Sequence, residues 1–74
     1  MTKLYEARNS SGHWITQREV ATAAGIPLRT YQALEQGKRD INRAKAITVL
    51  QLAIALSNLA GRKYTVEDIL ELQR

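Results

Sequence analysis

The sequence predicts an all-α domain, and three observations carry the prediction. Apolar residues recur at helical spacing and nowhere alternate long enough for a strand. Glycines fall where helices would stop, at Gly12, Gly25, Gly37 and Gly61. Threonines, an asparagine and a proline fall where helices would start. The chain of 74 residues fits one domain, taken as residues 1–74, with no repeat, linker or low-complexity stretch.

The first predicted helix runs from about Thr2 to Asn9 and gives way to the loop signal Ser10-Ser11-Gly12. Thr16-Gln17-Arg18-Glu19 reads as a capping box, in which Thr16 accepts from the amide three residues on and Glu19 reaches back. The helix it opens carries Val20, Ala21 and Ala24 on one face and stops at Gly25. A third helix starts near Pro27 or Leu28, where proline costs no helical hydrogen bond, and ends at Gly37. Two short helices separated only by Gly25-Ile26-Pro27 have to meet at a steep angle, the arrangement of a helix-turn-helix.

Asn42 is expected to cap a long fourth helix from Arg43 to about Leu59. Its apolar positions, Ala46, Ile47, Val49, Leu50, Ala53, Ile54 and Leu56, cover more than half the circumference. A helix this apolar is central: either other helices pack on two sides of it or part of it faces a second subunit. Leu50 is expected at the junction of several helices. After Ala60-Gly61-Arg62-Lys63, Thr65-Val66-Glu67-Asp68 opens a fifth, short helix whose first-turn acids suit the helix dipole. The expected architecture is a compact five-helix domain.

Charge is distributed unevenly. The net charge is +4, with an isoelectric point near 9.9. Residues 1–45 hold eight basic and four acidic side chains, and residues 46–74 hold three of each. The whole excess lies on the part that contains the steep helix pair, as expected of a polyanion-binding face on a neutral base. With Tyr31 set on the buried side of the third helix, Leu34 and Glu35 share that side at 100° per residue. Arg29, Gln32, Ala33 and Gln36 fall opposite. Arg supplies donors for guanine, Gln a bidentate reader for adenine, and Ala room for a thymine methyl.

Several of these residues carry a family resemblance. Gln17-x-Glu19-x-Ala21, Gly25-Ile26 and Glu35-x-Gly37-Lys38 occur together at the spacing of the XRE family of helix-turn-helix proteins. This is the Cro and cI repressor type of domain, and the chain resembles it over about residues 15–72. It departs from the pattern at Pro27, where the family usually has Ser or Thr, and at Tyr31, where Ile or Val is commoner. Its loops Asn9–Trp14 and Ser57–Tyr64 are slightly longer than usual. The resemblance implies a lambda-repressor-like fold and a regulator that binds double-stranded DNA, in the cytoplasm of a bacterium or of a phage's host.

Base readout is assigned to Leu28, Arg29, Gln32 and Ala33. Phosphate contacts are assigned to Gln17, Gln36, Lys38, Arg39 and Arg43. The resemblance gives Gln17 this role, which agrees with its place at a helix start, where amides attract an anion. Glu35 would repel phosphate, so it is expected either to pair with Arg8, as the family pattern also suggests, or to sit partly exposed without a partner. A two-fold dimer on a palindromic operator is the economical assembly, joined through the C-terminal helices at Leu56, Leu59, Ile69 and Leu72. The alternative is an antitoxin-like or adaptor module whose main partner is a protein such as a toxin.

Other chemistry is not supported by the residue types. With one His and no Cys, no metal site, nucleophilic triad or cofactor is expected, and no enzyme activity. His13 reads as a surface or hydrogen-bonded residue. Trp14 reads as a core plug or a hydrophobic staple against the second helix rather than a stacking platform. Glu67, Asp68 and Glu71 read as surface acids. No apolar stretch approaches the ~20 residues needed to cross a membrane.

Overall fold

The structure is a computed structural model that describes residues 2–10, 12 and 14–71. Five α-helices follow in order: α1 (Lys3–Asn9), α2 (Gln17–Ala24), α3 (Leu28–Gln36), α4 (Ala46–Ala60) and α5 (Val66–Ile69). A single 3-10 turn, Ile41–Arg43, precedes α4, and there is no strand among the described residues.

Each boundary has a local cause. Thr2 caps α1 by accepting from the Tyr5 amide at 3.1 Å, and its hydroxyl donates to the Glu35 carbonyl at 2.6 Å, tying the start of α1 to the end of α3. The expected capping box opens α2. Thr16 Oγ1 accepts from the Glu19 amide at 3.1 Å, and Glu19 Oε1 accepts from the Thr16 amide at 2.8 Å. Gly25 closes α2 at φ 74°, a conformation a side chain would strain, and the Ile26 amide reaches back to the Ala21 carbonyl at 3.0 Å. Thr65 opens α5 with its amide donating to the Asp68 carboxylate at 2.8 Å. That bond holds the Asp68 carboxyl below its usual pKa.

The start of α4 differs from expectation. Asp40, not Asn42, acts as the cap: its carboxylate accepts from the Asn42 amide at 3.0 Å and closes a 3-10 turn rather than an α-helix. Ala44 is then extended, at ψ 157°, and α4 begins at Ala46, three residues later than the sequence suggested. The Asn42 side chain is used elsewhere. Its Oδ1 accepts from the Glu71 amide at 3.0 Å, and its Nδ2 donates to the Glu71 carbonyl.

The core is built around α4, which packs against α2, α1 and α5. Leu4, Val20, Tyr31, Leu52, Leu56 and Ile69 are its fully buried large side chains. Two expectations about α4 are overturned. Leu50 is 45% exposed and lies outside the core. Leu56 and Ile69, expected at a subunit interface, are consumed by the monomer's own interior, and Leu59 is half-buried against it. Leu72 and His13 lie outside the described residues.

The reason is rotational. Leu52, Ala53 and Leu56 take the inner side of α4, so Ile47, Leu50 and Ile54 form an outer stripe at i, i+3 and i+7. These three are 56%, 45% and 50% exposed. Trp14 is also overturned as a core plug. It is 100% exposed, and Ile15 turns inward beside it instead.

Candidate nucleic-acid interface

The two helices α2 and α3 pack on each other across the three-residue turn at Gly25. Pro27 starts α3 with no side-chain cap, and the Tyr31 amide donates to its carbonyl at 3.0 Å. Gly37 ends α3 at φ 80°, and the Lys38 amide donates to the Ala33 carbonyl at 2.9 Å. These two ends fix which side of α3 looks inward. Tyr31, Leu34 and Glu35 are buried, and Arg29 and Gln36 are exposed. Leu28, Gln32 and Ala33 are half-buried, with Leu28 packed against the core edge.

The inner side of α3 is fastened by a polar cluster around Glu35. Its Oε2 accepts from Arg8 Nε at 2.8 Å and from the Tyr31 hydroxyl at 2.5 Å. Its Oε1 accepts from Arg8 Nη2 and from Gln17 Nε2, each at 2.8 Å. Arg8 also donates through Nη1 to the Ile15 carbonyl at 2.9 Å, so one guanidinium joins α1, α3 and the segment leading into α2. Burial by itself would raise the Glu35 carboxyl. The donors Arg8, Tyr31 and Gln17 together outweigh it and hold the group below its usual pKa. Burial and the neighbouring carboxylate push the Tyr31 phenol well above its usual value, so it stays a neutral donor.

Gln17 belongs to this cluster, which the sequence did not reveal. Its side chain turns inward to Glu35 rather than outward, and its Oε1 accepts from Gln32 Nε2 at 3.1 Å. A phosphate near the start of α2 would meet backbone amides there. The sequence does hold one signal of the cluster: Tyr31 and Glu35 are four apart on one helix, where side chains meet.

The predicted phosphate-contacting side chains divide into two groups. Arg39 and Arg43 line a groove with Thr30, Leu34 and Lys45, between α3 and the start of α4. Lys45 adds a further cation to this groove, and Asp40 a single acid. Lys38 and Gln36 are exposed at the end of α3. Among the described residues no group of three or more His, Cys, Asp or Glu is placed to hold a metal ion, and no helix is long and apolar enough to cross a membrane.

An exposed face carrying arginine and amides, on the second helix of a tight pair and followed by a basic loop, defines a DNA-binding helix-turn-helix domain. A helix-turn-helix family model matches residues 4–56, and the chain belongs to that family, of the XRE type. It is a DNA-binding helix-turn-helix regulator. Comparison with curated proteins and with solved structures gave no match.

Proposed function

We propose that the chain is a sequence-specific regulator of transcription that represses by occupying a palindromic double-stranded operator in the cytoplasm. The observation that carries this reading is the division of α3: a buried side fixed by Tyr31, Leu34 and Glu35, and an opposite side presenting Arg29 and Gln36 with Gln32 and Ala33 at its margins. Leu28, Arg29, Gln32 and Ala33 read base edges. Gln17 (through its backbone amide), Gln36, Lys38, Arg39 and Arg43 hold phosphates.

Base readers and phosphate contacts respond differently to truncation. Arg29→Ala is expected to weaken binding to the operator roughly 5- to 150-fold while barely changing affinity for random DNA. Lys38→Ala is expected to weaken both by similar factors and to flatten the salt dependence by about one ion. Titrations of both duplexes at several salt concentrations make the comparison. Equal losses on operator and random DNA for Arg29→Ala would remove α3 as the reader.

The same reading places a second copy of this chain on the outer stripe of α4. The helix Ala46–Ala60 carries no charged residue, so two molecules of net charge +4 can approach there without direct repulsion. Ile47, Leu50 and Ile54 supply the apolar centre such a contact needs. A two-fold dimer would read half-sites about 34 Å apart. Leu50→Lys is therefore expected to shift the protein to monomer in sedimentation and to weaken operator binding, with the helical circular dichroism unchanged. A wild-type protein that sediments as a strict monomer both free and on DNA would count against the dimer. A protein partner retained after Arg29→Ala would favour the antitoxin-like or adaptor reading.

A further inference from the structure

Glu35 is buried, and an ionised carboxylate can only accept hydrogen bonds. Gln17 must therefore turn its Nε2 toward Glu35 Oε1, as the 2.8 Å contact shows. That choice leaves Gln17 Oε1 as the atom facing Gln32, so Gln32 must present its own Nε2, which it does at 3.1 Å. A free glutamine amide is symmetric enough in shape to flip, and only its partners decide which end is the donor. Here the decision runs through two amides from a charge that cannot donate.

We infer that Glu35, acting through Gln17, is a positioning residue that fixes the donor–acceptor sense of Gln32 and thereby selects adenine at the base pair Gln32 faces. The inference rests on the proposal that α3 reads bases. Gln32 has one acceptor oxygen and two amide hydrogens, and Gln17 consumes one hydrogen. What remains is one acceptor and one donor. Adenine offers the complement in the major groove, an N6 donor beside an N7 acceptor. Guanine offers two acceptors there, N7 and O6, and Gln32 no longer has two donors to match them.

Tyr31 and Arg8 complete the device. Together with Gln17 they give each Glu35 oxygen two donors, so the carboxylate is held in one orientation and has no reason to rotate away from Gln17.

The test is selection from a randomised double-stranded DNA library with the 74-residue chain, comparing wild type with Gln32→Ala, Arg29→Ala, Gln17→Met and Glu35→Gln. Gln32→Ala identifies the base pair that Gln32 faces. Gln17→Met and Glu35→Gln are expected to lower the adenine preference at that same position by roughly fivefold or more, leaving preferences elsewhere in the site intact. A purely structural or phosphate-binding role for Gln17 would instead lower affinity for every sequence alike.

Glu35→Gln can unfold the domain, so thermal melting accompanies it. Gln17→Met, which leaves Arg8 and Tyr31 on the carboxylate, carries the test alone in that event. If Gln32→Ala shifts one position and Gln17→Met does not, the relay is overturned and the reading helix stands. If Gln32→Ala shifts nothing while Arg29→Ala does, the relay is overturned because Gln32 reads no base. If neither shifts the preferred sequence, both the relay and the reading helix fall.

Discussion

Leu52→Ala is expected to cost about 2–5 kcal/mol, the range for emptying a fully buried leucine site. Leu52 is fully buried on the inner side of α4, the helix that α1, α2 and α5 all contact, so its removal leaves a cavity in the centre of the core. Small domains sit near the low end of native stability, about 5 kcal/mol, so the variant should be largely unfolded near body temperature. Leu50→Ala is the control two residues away. Exposed as it is, it should change monomer stability by no more than about 0.5 kcal/mol. Urea titrations at low protein concentration, where self-association does not contribute, decide between them. Equal midpoints for the two variants would mean that α4 is rotated from the orientation described above.

Arg8→Met is expected to be at least as damaging, at about 3–5 kcal/mol, because it strips a buried carboxylate of its only counter-charge in the cluster. The Ile15 carbonyl loses its donor in the same step, loosening the approach to α2. Replacing the ion pair and its phenol by apolar residues, with Arg8→Met, Glu35→Leu and Tyr31→Phe combined, should recover much of the loss, since no charge then remains buried.

The pair also sets an acid limit. Glu35 titrates below its usual value near 4.5, so its stabilisation is complete above that value and is lost as the pH falls through the depressed one. Wild-type and Arg8→Met melting temperatures should therefore lie far apart at pH 7 and converge in strong acid. Parallel curves down to pH 2 would show that the ion pair does not carry the difference.

What the sequence made legible follows from how locally each feature is specified. The capping box at Thr16 and the turn at Gly25 are encoded within four or five residues, and both lie where they were read. The start of α4 was misread because two plausible caps, Asp40 and Asn42, sit two residues apart. Which one wins depends on Glu71, which claims the Asn42 side chain from the far end of the chain. Leu50 was misplaced for a similar reason. A helix apolar on most of its circumference does not say which part faces in, and only the packing of α1, α2 and α5 around α4, which buries Leu52 and Leu56, settles it. On α3, the exposure of Arg29 and Gln36 followed from the helical wheel. The inward turn of Gln17 did not, because it depends on a carboxylate eighteen residues away on another helix.

The contact that closes the molecule joins residues 68 apart, with the Lys3 amide donating to Glu71 Oε2 at 2.6 Å and the Lys3 ammonium donating to the Glu67 carbonyl at 2.9 Å. Closing so long a loop costs more entropy than closing a short turn, by about 0.6 kcal/mol for each doubling of length, and that cost is met only when both termini dock. The helix pair α2–α3 needs no such closure. Opening therefore divides the domain unequally: α1 and the 65–71 segment release together as one cooperative unit, while the central helices persist. In native-state deuterium exchange the amides of α1 and α5 should share a single opening free energy below that of α4. The segment that carries Arg8 would thus be among the first to leave, and the orientation of α3 would be lost before its helicity.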